Sequence, residues 1–349
     1  MPEVVCFTSV SLSYLDRARV LAETVKRVHP DWTLCICICD RPHPGFRFDP
    51  DTEAFDRVVW VEDLDIPDLR SWIFKHDVVE LCTAVKGYLL ANLLDEGFAK
   101  IVYLDPDIAV FGSLANIERL LDTSTIVLTP HVVAPEDHEQ AIADNEIGTL
   151  KHGTFNLGFL AVRNCPEARR FAEWWRSRLH QYCYDDVANG LFTDQRWCDL
   201  VPCFFDDVHI LRDPGYNVAS WNLNRRPISF DTDGNILAGG VPLRFFHFTK
   251  VNSIGQIMLT RYAGGALGAF DLLKWYRQRL RVHGVPDLPA HYWAFGHFED
   301  NEPIRREQRL LYRHRVDLQR AFPDPFSVGG HSFSHWYAHH VAAAASQAA

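Results

Sequence analysis

A strand, a helix and a second strand follow one another within the first forty residues, and this succession limits the fold more than any other feature of the chain. Val4-Val5-Cys6-Phe7-Thr8-Ser9-Val10 is an apolar run of strand length. From Tyr14 to Val28, apolar Leu15, Ala18, Leu21, Ala22 and Val25 recur at helical spacing, and His29-Pro30 stops the helix. Trp32 to Cys39 reads as the next strand, ended by Asp40-Arg41-Pro42. A strand that returns parallel to its neighbour needs a crossover, and a helix is the usual one. A βαβ unit and a parallel sheet are therefore expected. Ligands of such sheets gather at the carboxyl ends of the strands. Thr8, Ser9 and Asp40 fall on that rim. Asp40 is placed either to hold a base or ribose hydroxyl or simply to end its strand in a turn.

The same rim receives the most chemically suggestive stretch. Ile101-Val102-Tyr103-Leu104 is a buried strand that runs into Asp105-Pro106-Asp107, and Ile108-Ala109-Val110 follows. Pro106 has no amide hydrogen to donate, so the strand ends or breaks there. Two carboxylates one residue apart repel each other unless a cation sits between them. A hard divalent ion, Mg²⁺ or Mn²⁺, suits oxygen ligands and keeps positions open for phosphate. Asp-Pro-Asp is also ordinary turn chemistry.

Further along, Arg57 to Glu62 reads as a third strand and about His76 to Leu94 as a helix carrying Lys86 and Gly87. Lys86 is either a rim lysine facing a diphosphate or a solvated one. Ile126 to Thr129 is another strand. The polar stretch His131 to Thr154 is expected to be a long loop belonging to the substrate site. Phe155 to Val162 is a strand with Gly158 inside it, which signals close approach by a ligand or a second backbone. Thr193 is placed to cap a helix with Asp194 in its first turn. Asp231 to Asn235 is a hairpin tip, resembling a calcium loop without the downstream glutamate. In Arg244 to Lys250, alternation puts Phe246 and Phe248 on one face and His247 on the other. One imidazole with two carboxylates would give a divalent ion three protein ligands.

Composition bounds the partners. The 349 residues are 47% hydrophobic, enough for a large core, and the net charge of −10 argues against a generic nucleic-acid binder. Nine cysteines are an odd number; Cys35, Cys37 and Cys39 lie on one face of a strand, where packing is expected. No run reaches the length of a membrane span, and Met1-Pro2-Glu3 does not begin a signal sequence, so a cytoplasmic, reduced protein is expected. The helix 270–282, with Lys274, Arg277, Arg279 and Arg281, is either a solvated face or a peripheral contact with an anionic membrane that carries a lipid-linked acceptor. His331, His335, His339 and His340 resemble a metal-binding tract.

The order of four motifs adds a resemblance. Tyr103-Leu104-Asp105-Pro106-Asp107-Ile108 resembles the Asp-x-Asp motif of GT-A fold glycosyltransferases. Phe155-Asn156-Leu157-Gly158, Asp194-Gln195 and His247-Phe248-Thr249-Lys250 resemble, in turn, three motifs of the family 8 type retaining enzymes. Together they span about residues 4 to 255. The resemblance implies an α/β fold: a Rossmann-like, mixed but mainly parallel sheet flanked by helices. A transferase domain at 1–265 would precede a helical, irregular extension at 266–349 with a flexible tail. It implies metal ligation by Asp105, Asp107 and His247, with Mn²⁺ or Mg²⁺ bridging the diphosphate of a nucleotide-sugar donor. Thr8 and Asp40 would hold the nucleoside, and Lys86 and Lys250 the diphosphate. Asn156, Asp194 and Gln195 would line the donor sugar as the catalytic group, and a glycan or lipid-linked hydroxyl would accept it. The chain departs from the family after His247, where Thr249 runs directly into Lys250 without the family's glycine and Lys-Pro. A non-catalytic sugar-nucleotide binder is the alternative. A nucleotidyltransferase ranks lower, since Thr8-Ser9-Val10-Ser11 has no glycine-rich basic loop.

Overall fold

The structure is a computed structural model that describes residues 3–342. The strands of the two sheets that carry the site, in chain order, are β1 (Val4–Val10), β2 (Thr33–Ile38), β3 (Arg57–Trp60), β4 (Lys100–Leu104) and β5 (Ile108–Val110). They continue with β6 (Ile126–Pro130), β7 (Phe155–Arg163), β8 (Val208–Ile210), β9 (Val218–Ala219) and β10 (Phe245–His247). Seven of them form the central sheet in the order β8-β6-β7-β4-β1-β2-β3. All are parallel except β7, which runs antiparallel between β4 and β6. The α/β class and the mainly parallel sheet expected from the first forty residues are thus observed. A second, three-stranded sheet, β9-β10-β5, lies at the carboxyl end of β4.

The helices that matter for the site are α1 (Leu15–Val28), α2 (Val78–Ala84), α3 (Lys86–Asp95), α4 (Pro166–Tyr182), α5 (Gly268–Val282) and α6 (Arg306–His314). The single helix expected from His76 to Leu94 is broken at Val85 into α2 and α3. Asp77 caps α2 by accepting from the amides of Val79 and Glu80.

Period-two alternation divides each central strand between two cores. Val5 and Phe7 point to one face of the sheet, Cys6 and Val10 to the other. Cys35, Cys37 and Cys39 all join the first core, the packing role expected of them. That core also takes Trp293, Phe295, Tyr312, Phe326 and Phe333 from the C-terminal stretch. Buried Arg309 donates to the carbonyls of Phe74, His76 and Phe295. Arg313 pairs with buried Glu80 at 2.5 Å. On the other side, Tyr276 of α5 stacks on Phe248 with ring centroids 4.0 Å apart. The core is continuous across residue 265, where the sequence suggested a boundary. The flexible tail expected at the end of the chain lies, from residue 343 on, outside the described residues.

Candidate active site

Strand β4 of the large sheet passes directly into β5 of the small one, and Asp105-Pro106-Asp107 is the turn between them. The Asp105 amide still donates to Gly158 of β7 (2.8 Å), and the Ile108 amide closes the turn on the Asp105 carbonyl (3.0 Å). The tripeptide is a turn, and the turn presents both carboxylates beside His247. Strand β10 runs antiparallel to β5 with His247 opposite Ile108, and the Phe248 amide donates to the Asp107 carbonyl (2.8 Å). A ladder between strands remote in sequence therefore brings the imidazole to the two aspartates.

Asp105, Asp107 and His247 each offer a ligand atom, all within 4.8 Å of one another. His247 Nε2 lies 3.0 Å from Asp107 Oδ1 and 3.7 Å from Asp105 Oδ2. Burial alone would lower the histidine's pKa, but the two carboxylates outweigh it and raise it. Burial likewise pushes Asp107 up, and His247 outweighs that, holding it below the ordinary carboxylate value. Two carboxylate oxygens and one imidazole nitrogen converging on one point fit a Mg²⁺ or Mn²⁺ ion.

The two oxygens of Asp105 have separate tasks. Oδ2 faces His247, while Oδ1 accepts from the Tyr103 hydroxyl (2.5 Å) and from Lys86 Nζ (3.2 Å). Asp105 directly follows β4 and its amide still bonds to Gly158, so Tyr103, two residues earlier, shares its face. Lys86 is buried, not solvated. Its ammonium also reaches Asp194 Oδ2 (2.8 Å) and the Leu157 carbonyl (3.2 Å), and lies 4.1 Å from the centre of the Tyr103 ring. Burial opposes its charge, yet Asp105 and Asp194 together hold its pKa well above the ordinary lysine value. Asp194 is pushed up by its own burial, with Lys86 pulling against it. Helix α3 reaches this depth because Gly87 packs on α4; a Cβ there would sit 2.7 Å from the Arg176 Cα.

The close approach signalled by Gly158 is made by side chains. A Cβ at this position would lie 2.5 Å from His247 Cε1, 2.7 Å from its Nδ1 and 2.8 Å from Asn156 Oδ1. Gly158→Ala is expected to push the imidazole out of line and weaken Mn²⁺ binding about 10–100-fold, the usual scale for disturbing a ligand's support. Calorimetric titration of the variant, with a circular-dichroism check on the fold, measures this.

The remaining expected residues are placed as follows. Asn156 lies beside His247 (3.1 Å), and Gln195 is bonded to Asn156 behind it (3.2 Å). Thr193 does not cap a helix. It adopts a left-handed φ of 44° and gives its hydroxyl to Asp194 Oδ1 (3.1 Å), a strained conformation for a β-branched residue. The stretch 131–154 is not an open loop, since residues 139–152 are helical. His131, at its start, does reach the site through Asn156. Lys250 is exposed, in a left-handed turn with φ 48°. Of the four cations on 270–282, Arg279 pairs with Glu23, and Arg277 donates to Val251 and Gln256. Only Lys274 and Arg281 remain on its exposed face, beside Asp271. No described helix is long and apolar enough to cross a membrane. The four C-terminal histidines form no three-ligand group among the described residues. Sequence reasoning missed Tyr103, whose place two residues before Asp105 is a usable signal, and Trp221, whose ring meets His247 edge-on at 5.6 Å.

Thr8 and Asp40 are enclosed rather than open to a nucleoside. The Asp40 carboxylate accepts from the amides of Leu12 (3.1 Å), Arg41 (3.0 Å) and Ala294 (2.8 Å), and so ties the C-terminal stretch to the rim. Burial raises its pKa to about 7 against the pull of these amides. The folded chain then keeps a proton that the unfolded chain releases near pH 4. Stability is therefore expected to fall as pH rises from about 4 to 7, by up to about 1.4 kcal/mol per unit. Urea unfolding of the wild-type chain and Asp40→Asn across pH 5 to 8 checks this: the variant should lose that slope.

Fold and site together define an α/β protein with a candidate cation site where its central sheet meets the β9-β10-β5 sheet. No family profile matches the chain. It is similar to two uncharacterised proteins of Bacillus subtilis. YfnF is 26% identical over 191 residues, covering 52% of this chain and 61% of its own. YfnD is 25% identical over 195 residues, covering 55% and 60%. The chain thus matches about three fifths of the length of these relatives. Among solved structures it is similar to the galactosyltransferase LgtC in complex with donor and acceptor sugar analogues, at 15% identity. That match covers 75% of this chain and 96% of the other, with a TM-score of 0.41. It is also similar to the apo form of the glycosyltransferase GlyE of Streptococcus pneumoniae, at 13% identity. Here 80% and 64% are covered, with a TM-score of 0.45. Likeness at this level leaves the activity to be argued from the site itself.

Proposed function

We propose that this chain is a metal-dependent, retaining glycosyltransferase that uses a nucleotide-diphosphate sugar. The observation that carries the reading is the convergence of Asp105, Asp107 and His247 at the carboxyl edge of the sheet. The four motifs in family order support it. In the reaction, the bond between the anomeric carbon and the diphosphate oxygen breaks, and the acceptor's hydroxyl oxygen takes its place. The hydroxyl proton leaves with the diphosphate. A bound Mg²⁺ or Mn²⁺ supplies positive charge for that leaving group. Asp105, Asp107 and His247 would hold the ion. Exposed Lys250, three residues past His247, is the cation assigned to the departing diphosphate. Asp194, braced by Lys86, supplies negative charge toward the anomeric carbon. The acceptor is a hydroxyl on a glycan or lipid-linked carrier.

Calorimetry with UDP-, GDP- and TDP-sugars, with and without Mn²⁺, tests this reading. Binding of one donor class that requires the ion, followed by release of its nucleoside diphosphate when acceptor is added, is expected. Donor binding with no turnover over a broad acceptor panel would identify a non-catalytic binder instead. Absence of ion-dependent binding to any of them sinks the proposal.

A further inference from the structure

We infer that Gln195 and Asn156 are positioning residues that fix which ring nitrogen of His247 faces the metal. This rests on the metal-centre reading above and assigns two residues a task other than touching sugar. Two backbone groups beside Gln195 have hydrogen-bond roles fixed by chemistry. The Leu157 amide can only donate, and it donates to Gln195 Oε1 (3.1 Å). The His152 carbonyl can only accept, and it accepts from Gln195 Nε2 (2.9 Å). The Gln195 amide therefore has one orientation. Its Oε1 also accepts from Asn156 Nδ2 (3.2 Å), because the reversed Asn156 amide would set two oxygens against each other. Asn156 Oδ1 is thereby left facing His247 Nδ1 at 3.1 Å. An oxygen there requires a hydrogen on Nδ1. Nε2, the atom beside Asp105 and Asp107, is then the nitrogen with a lone pair free for a metal.

The second Asn156 donor goes to His131 Nε2 (3.2 Å), so neither hydrogen of that amide remains free. Asn156 and Gln195 are both buried. With one N–H of Gln195 left over, their hydrogen-bonding capacity is spent on each other, on the backbone and on the two histidines. A ligating imidazole whose outer nitrogen is held by a side-chain oxygen is the usual support of a metal centre, and its loss usually costs 10–100-fold in affinity. Here the support runs two side chains deep and ends on β7 and on the helical segment before it.

The test is Mn²⁺ titration calorimetry on the full chain, with four variants and a fold check by circular dichroism. Asn156→Leu matches the size of asparagine and removes the acceptor; about a 10–100-fold weaker affinity is expected. Asn156→Asp keeps an acceptor for Nδ1–H but turns its second oxygen against Gln195 Oε1, so it should bind Mn²⁺ more weakly than wild type and more tightly than Asn156→Leu. Gln195→Met removes the anchor of Asn156 and should weaken Mn²⁺ binding about tenfold. Added to Asn156→Leu it should cost nothing more, because both act through one contact. In the Mg²⁺-loaded protein, nitrogen-15 NMR should find the His247 ring proton on Nδ1. Wild-type Mn²⁺ affinity in both Asn156→Leu and Gln195→Met overturns the positioning role. If Asp107→Asn still abolishes Mn²⁺ binding in that case, the metal centre itself stands. No Mn²⁺ binding by the wild-type chain overturns both.

Discussion

Asp107→Asn is expected to abolish ion-dependent donor binding and transfer while leaving the chain folded. Asparagine has the shape of aspartate, so β5 and its ladder to β10 persist. What disappears is one of the two anionic ligands and the counter-charge 3.0 Å from His247. Losing a supporting contact behind a ligand typically costs 10–100-fold, so losing the ligand itself should cost more than about a hundredfold in metal affinity. Melting curves separate this from misfolding. In the wild-type chain, Mn²⁺ at a hundred times its dissociation constant should add about 2.7 kcal/mol, a rise of a few degrees in Tm. The variant should melt within a few degrees of the metal-free wild type and show no rise with Mn²⁺. Normal ion-dependent activity in Asp107→Asn would mean that the centre is misassigned.

Lys86→Met should have the largest effect on stability. The ammonium is buried and serves Asp105, Asp194 and the Leu157 carbonyl at once. Methionine fills the space but leaves Asp194 in the interior with no cation beside it. Breaking a buried pair from one side costs about 3–5 kcal/mol, because the remaining charge is uncompensated. Asp194 escapes part of that cost by taking up a proton, since burial already pushes its pKa upward. The sign of the pH dependence follows. The folded variant binds a proton that the unfolded chain has released, so its stability should fall as pH rises above the ordinary aspartate range. Adding Asp194→Asn removes the stranded charge and should restore most of the lost stability and flatten the slope. If the double variant is as unstable as Lys86→Met, the loss was one of packing rather than charge. Neither variant should transfer sugar, so the readout is chemical unfolding across pH.

Asp107 stands out in the sequence as one of two carboxylates at a strand end, although Asp-Pro-Asp is also ordinary turn chemistry. Lys86 does not, because a lysine in a helix is normally solvated. Its burial depends on Gly87 letting α3 settle against α4, a contact between segments remote in sequence. Asn156 and Gln195 were visible as motif residues, but their hydrogen bonds to each other and to His247 were not. Asp40 was legible as the end of its strand, yet the C-terminal stretch that encloses it through the Ala294 amide was invisible as a partner.

Taken alone, the sequence determined the alternation that sorts each strand between two cores, the first crossover, the strand-ending turn at Pro106 and the kinds of ligand present. These depend on neighbours a few residues apart, where backbone sterics and side-chain period act directly. Only the tertiary structure decided that β7 enters the sheet antiparallel, that β10 pairs with β5, and that Gly158 makes room for an imidazole. It also decided that a buried lysine divides its charge between two carboxylates. Those outcomes depend on strand pairing and helix packing between distant segments, and no local preference encodes them.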